Sequence, residues 1–170
     1  MMSWWTFSDV FEENGPRTEP FDGGFGLIAS GSIRKPSFNA FKLLHTLGTE
    51  RLDNPGDLLV TRRKDGTLVI AIWNLVEMDK LKNGRRTTVV MEFKGVKPNA
   101  VVSIRRLDAL HGNTQAAYES MGSPRYPTLA QIKELNEASK IGRPDLIVLR
   151  EGKVELDLPA DGLAILEIAK

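Results

Sequence analysis

The chain has 170 residues, 41% of them hydrophobic and 26% charged, which fits one or two small globular units and argues against disorder. A formal net charge of +1 gives no electrostatic reason to invoke nucleic acid, and zero Cys removes a disulfide framework, a thiol nucleophile and a Cys-based metal site. The longest apolar runs, such as "LVIAIWNLV" (68–76), fall far short of a membrane span of roughly 20 residues, so no membrane partner is expected.

Residues 1–48 read as a strand, a long loop and a helix. The strand, Ser3–Phe11, is rich in Trp, Phe, Thr and Val. The Gly-rich loop "NGPRTEPFDGGFGLIASGSIRK" follows, and then a helix over Pro36–Leu47. Phe38, Phe41, Leu44 and Leu47 recur at three-residue steps, Pro36 suits a first helical turn, and Gly48 suits the position just past the end. "TERLDNPGD" reads as a linker over 49–57.

Residues 58–170 are strand-rich. "LLVTRR" and "TLVIAIWNLV" flank Asp65-Gly66, which supplies the positive φ of a tight hairpin. "TTVVMEF", "AVVSIRRL", "DLIVLR", "KVELDLP" and "LAILEI" complete the set. "VELDL" alternates apolar with acidic, as in a strand wet on one face. The expectation is mainly β: an antiparallel β-sandwich interrupted by a long loop over 108–127 and a helix over Leu129–Ala138. Thr128 and Gln131 have capping-box spacing before that helix.

The opening segment "SWWTFSDVFEE" carries the densest chemistry. Sugars present apolar CH faces ringed by hydroxyls, so an aromatic platform with carboxylates is a sensible sugar site. Along a strand, Trp5, Phe7 and Asp9 would share one face, while the adjacent Glu12 and Glu13 would point apart. That is a poor arrangement for the facing carboxyl pair of retaining glycoside hydrolysis, and a core strand ending in two solvated acids is an equally open reading. "DGGFG" lacks the Lys-Ser/Thr of a phosphate loop, and His45 and His111 lack partners at metal-ligand spacing, so neither cofactor nor metal is expected. Arg105, Arg106, Asp108 and His111 gather at a strand end, where ion pairs fixing a loop are the favoured reading. Trp73, in an apolar strand, is expected in the core.

Three motifs in order, "WWTFSDVFEENGP", "PFDGGFGLI" and "IRKPSFNAFKLLHTLG", resemble glycoside hydrolase family 39, the β-xylosidases and their α-L-iduronidase relatives. The later "RRLDALHGNTQAAYESMGSPRYPTLAQIKEL" is similar to that family's carboxyl-terminal sandwich, so the likeness covers nearly the whole chain. The resemblance implies that residues 1–48 are the last strand, loop and helix of a (β/α)₈ barrel, and that a fibronectin/Ig-like sandwich follows. It also implies that Trp5 walls a sugar subsite, that Glu12 and Glu13 accept hydrogen bonds from substrate hydroxyls, and that Phe11 and the "GGFG" turn shape the rim. Asp22 stands where the family often shows His, so any contact through that imidazole is lost or replaced.

By the same resemblance, the family's acid/base glutamate follows an Asn on an earlier strand and its nucleophile lies on the strand before this one. The sequence holds no "NEP", and its Asn-Glu pair, Asn136-Glu137 in "LNEAS", falls inside the expected helix. The implied function is therefore the carboxyl-terminal part of a retaining glycosidase acting on β-xylosides, inactive alone, with a xylose-type substrate engaged only alongside the rest of the barrel. A non-catalytic carbohydrate-binding or structural module, and one half of a split glycosidase, stay open as alternatives. A lone barrel strand leaves Trp4, Trp5 and Phe7 seeking cover by packing on the sandwich, local refolding or self-association. No basic segment followed by an apolar stretch marks a signal peptide, which together with the absent Cys favours a cytoplasmic location.

Overall fold

The structure, a computed structural model, describes residues 4–10, 19–54, 56, 58–76 and 85–169. Its elements in chain order are β1 (Ile28–Ala29), β2 (Ile33–Arg34), α1 (Pro36–Leu44), β3 (Glu50–Leu52), β4 (Leu58–Arg62), β5 (Leu68–Asn74) and β6 (Thr87–Glu92). Then come β7 (Val101–Leu107), α2 (Thr114–Ser120), α3 (Leu129–Ala138), β8 (Asp145–Val148), β9 (Lys153–Leu158) and β10 (Gly162–Ile168). Two compact units result: residues 1–41 with 109–141, and residues 42–108 with 142–170.

The second unit is antiparallel β throughout its named strands. One sheet has the order β3-β4-β5-β10-β7-β8, and β6 pairs with β9 in a two-stranded ribbon. Strict alternation builds the contact between them. Ile70 and Ile72 of β5, Val102 and Ile104 of β7, and Ala164, Leu166 and Ile168 of β10 meet Met91, Val154, Leu156 and Leu158 of the ribbon. Each large side chain among them contributes about 1.5–3 kcal/mol by leaving water. In β9 the charged positions Lys153, Glu155 and Asp157 stay exposed while their apolar neighbours are buried, as the sequence pattern requires. The reverse face of β5 and β10 is apolar too, with Val69, Ala71 and Ile165 buried. On that face Glu167 holds two guanidiniums, Arg63 at 3.1 Å and Arg105 at 3.0 Å.

The β4–β5 hairpin closes on Gly66 at φ +86°, a conformation that favours glycine. Asp65 caps it by accepting from the Thr67 amide at 2.9 Å, and that bond holds its carboxyl below the usual carboxylate range. All seven strands expected between residues 58 and 168 are present. Two expectations here change. The segment read as a linker includes β3, because Glu50–Leu52 pairs with Val60–Arg62 of β4. Trp73 is exposed: it continues the Val69–Ala71 face of β5 to the strand end. Arg105 and Arg106 form ion pairs, with Glu167 and Asp145 of the adjoining strands.

The first unit is held differently. Its apolar cluster is small: Ala29, Ile33, Tyr118 and Leu135, flanked by Phe21, Ala117, Met121 and Ile132. The helix α3 starts where the sequence says, with Thr128 and Gln131 exchanging side-chain and backbone bonds. The stretch read as an unbroken loop contains α2, whose start is capped by Asn113 Oδ1 accepting from Gln115 and Ala116. With only seven residues, α2 is too short to show an apolar stripe.

In α1 the expected phenylalanine stripe is only half-buried, and the helix ends at Leu44. Its most buried position in this unit is polar: Asn39, 1% exposed, donates from Nδ2 to the carbonyls of Gly112 at 2.8 Å and Ser139 at 2.7 Å. Those carbonyls belong to the segments on either side of α2 and α3, so one amide fixes both ends of the excursion. Thr114 adds a bond from its hydroxyl to the Arg34 carbonyl at 2.5 Å.

Asn39→Ala would leave two buried carbonyls without a donor and should cost about 2–3 kcal/mol, measured as a shift in urea midpoint. A second prediction concerns Tyr118, whose hydroxyl donates to the Pro124 carbonyl at 3.0 Å. Burial, then the nearby Glu19 and Asp22 carboxylates, push its phenol above the ordinary value. The unfolded chain therefore releases this proton first, near pH about 10, and the native state holds it. The stabilisation is fully present below that pH and is lost as pH rises through the native value. Denaturation series across the alkaline range should show this decline in the wild type and a flatter curve in Tyr118→Phe.

Candidate functional site

The chemistry singled out in the sequence sits in the first unit, where residues 4–10 lie against the Gly-rich turn. The expected strand is not formed: these residues make one parallel bridge, Ser8 with Ile28. The bonds of that bridge tie the segment to the start of β1 and the residue before it. Phe7 O accepts from the amides of Leu27 at 3.0 Å and Ile28 at 3.1 Å, and the Asp9 amide donates to Ile28 O at 2.9 Å. Because the segment does not run as an extended strand, the shared face expected for Trp5, Phe7 and Asp9 is absent. Asp9 is 3% exposed, whereas Trp5 is 69% and Phe7 63% exposed.

Asp9 is the centre of the arrangement. Its Oδ1 accepts from the Gly26 amide at 2.7 Å and from Lys35 Nζ at 2.7 Å. The ammonium also lies 2.6 Å from Oδ2, held there by charge without hydrogen-bond alignment. Lys35 gives a further bond to the Gly24 carbonyl at 2.8 Å. A carboxylate and an ammonium this deep are tolerated only as a pair with their remaining sites filled. The turn must come very close to fill them. A Cβ on Gly24 would strike the Asp9 carboxylate, and one on Gly26 would fall on the Ser8–Asp9 backbone. These two glycines are required for close approach, not for φ.

Trp4 completes the joint. Its indole Nε1 donates to the Phe25 carbonyl at 2.7 Å, and its ring meets Phe41 edge-on, centroids 5.6 Å apart. The consequence is an outward-facing set of rings, Trp5, Phe7 and Phe25, on a backbone fixed by buried polar contacts. Planar apolar faces presented in this way can stack on apolar ligand surfaces.

Of the residues nominated from sequence, Trp5 is at this exposed front, while Phe11, Glu12 and Glu13 lie outside the described residues. His45 and His111 are both exposed. Among the described residues no group of three His, Asp or Glu could hold a metal ion, and no helix is long and apolar enough to cross a membrane. Sequence reading singled out the "GGFG" turn but not Lys35, nor the pairing of either with Asp9. The signal was present as glycines at alternate positions downstream of an Asp inside an aromatic run, but nothing in spacing alone pairs that Asp with a lysine 26 residues away.

Fold and site together define a mainly β, antiparallel protein with an aromatic-fronted loop unit at its amino-terminal end. The family model described as "Glycosyl hydrolases family 39" matches residues 1–146, and the chain belongs to that family. It is 39% identical over 138 residues to a β-xylosidase of Geobacillus stearothermophilus, covering 80% of this chain and 27% of that protein. It is 31% identical over 170 residues to a β-xylosidase of Caldicellulosiruptor saccharolyticus, covering 92% of this chain and 33% of that one. Among solved structures it resembles a monomeric β-xylosidase from Caulobacter crescentus CB15 at a TM-score of 0.85 and 29% identity, covering 99% of this chain and 37% of that chain. The chain thus spans about a third or less of the length of the two curated relatives.

Removing one member of the buried pair strands the other, so Asp9→Asn and Lys35→Met should each cost about 3–5 kcal/mol. The double variant should cost less than the sum. Gly26→Ala should match the single losses by forcing the turn off the Ser8–Asp9 backbone. Thermal unfolding followed by tryptophan fluorescence checks all four; additive single losses would show that the pair is not coupled.

Proposed function

We propose that this chain is the carboxyl-terminal part of a retaining glycosidase acting on β-xylosides. Residues 1–48 would be the last strand and closing helix of a (β/α)₈ barrel, and the antiparallel sheets its fibronectin/Ig-like accessory sandwich. The observation that carries the reading is the 39% identity to a β-xylosidase over 138 residues. The family match, which begins at residue 1, takes in the whole aromatic-acidic segment. The exposed ring set supports the same reading, because Trp5 is held where a sugar face could stack against it. In this reading Trp5 walls the sugar subsite, Phe11 shapes its rim, and Glu12 and Glu13 accept hydrogen bonds from substrate hydroxyls.

Retaining hydrolysis needs a nucleophile carboxylate and an acid/base carboxylate about 5–5.5 Å apart across the glycosidic bond. We assign both to the part of the family's length that this chain does not span. The 170 residues then supply a wall and not the reacting pair. The exposed Trp5, Phe7 and Phe25 would be covered by the rest of the barrel or, in its absence, by a second copy of the chain.

Assays of hydrolysis and of self-association test this. The chain alone should release no aryl group from an aryl β-xyloside. A chimera in which it replaces the matching region of the Geobacillus stearothermophilus β-xylosidase should hydrolyse the same substrate. In that chimera Glu13→Ala should lower kcat/KM by about tenfold or more, since a hydrogen bond to a charged group is worth about 1.5–3 kcal/mol. Turnover by the isolated chain, lost on mutating Glu12 or Glu13, would overturn the assignment of the reacting pair. Light scattering should show concentration-dependent association of the isolated chain that weakens in Trp5→Ser.

A further inference from the structure

At one end of the second unit, an open groove of about 770 Å³ lies between the β4–β5 hairpin, the β6–β7 turn and the end of β10. Its floor is apolar, formed by Leu68, Val96 and Ile168, and its rim carries Arg62, Lys94 and Lys97. No carboxylate lines it among the described residues. We infer that this groove is a second binding site, separate from the aromatic segment, for an oligosaccharide that bears a carboxylate.

The turn that presents the two lysines is built, not loose. Val96 between them packs against the main core, the Ala100 amide donates to Lys97 O at 2.9 Å, and the Gly152 amide donates to Pro98 O at 3.0 Å. Gly95 at φ +76° allows the reversal that puts both ammoniums on the rim. Arg62 is partly neutralised by Glu50 at 3.3 Å, and Asp65, though in the same β4–β5 hairpin, does not line the groove. Lys94 and Lys97 therefore provide the unbalanced charge, and the complementary ligand is an anion. A volume of this size accommodates two or three sugar rings, within the range of small-ligand sites. The apolar floor suits the CH face of a pyranose. A net charge of +1 gives no general attraction for nucleic acid. The choice of a sugar over other anions rests on membership of a glycosyl hydrolase family, and does not depend on how the aromatic segment functions.

Calorimetric titration of the chain with a xylotriose carrying one glucuronate side group, alongside unsubstituted xylotriose, tests the inference. Saturable binding of the acidic sugar is expected, weakening as salt rises. Lys94→Glu/Lys97→Glu should reduce its affinity by about tenfold or more through charge reversal at the rim. Both positions are exposed, so an unchanged thermal melt will show that the variant is folded. Amide shifts centred on residues 94–97 should accompany binding of the acidic sugar. The inference falls if the acidic sugar does not bind, if the neutral sugar binds equally well, or if the double variant binds as the wild type does. None of these outcomes bears on hydrolysis at the aromatic segment, so the two readings fail separately.

Discussion

The amino-terminal unit depends on one buried charge. Asp9 has lost its water, and in exchange its carboxylate has Lys35 beside it and an amide pointed at it. Each of those partners constrains something else. Lys35 must reach back to the Gly24 carbonyl, and the Gly26 amide must arrive close enough that no side chain fits on either glycine. Residues 24–26 therefore have essentially one place to be. Phe25, lying between those glycines, is turned outward, and its carbonyl meets the Trp4 indole. Burying a polar pair thus orders an aromatic front that contributes nothing to its own burial.

Such an arrangement would otherwise look wasteful. Large rings left in water forgo about 1.5–3 kcal/mol each. A loop unit with a small apolar cluster has little stabilisation to give away. Directional bonds compensate: they hold the backbone without needing the rings inside. Asn39 does the same for the other half of the unit, fixing two carbonyls from one amide. In the proposed sugar wall a fixed backbone would lower the cost of binding, because the entropy of ordering the rings is met before a ligand arrives.

How much of this was legible in the sequence follows from which forces build each unit. The sheets rest on alternation, and alternation is visible: "KVELDL" has the same period as its burial. The β4–β5 turn was legible because Asp65-Gly66 states its backbone requirement locally. So was α3, through the reciprocal bonds of Thr128 and Gln131. What escaped was non-local and polar. Segment 4–10 has the composition of a strand, yet its pairing stops at one parallel bridge, Ser8 with Ile28 of β1, some twenty residues away. In α1 the apolar stripe pointed to Phe38 and Phe41, while the burial fell to Asn39, whose partners lie 73 and 100 residues further on. Family motifs carried the membership without revealing this geometry.

The buried polar side chains are divided unevenly. Among the described residues, Asp9, Asn39, Thr114 and Ser139 all fall in the first unit, and only Thr61 in the second. The two units should therefore diverge under mutation for a physical reason. A sheet core is held by area, which many apolar combinations supply at the same volume. A polar joint is held by geometry, and removing one partner leaves the other desolvated and unpaired. The first unit, which carries the candidate sugar wall, is consequently the one that tolerates least change at its buried positions. Its exposed rings are not bound by that constraint.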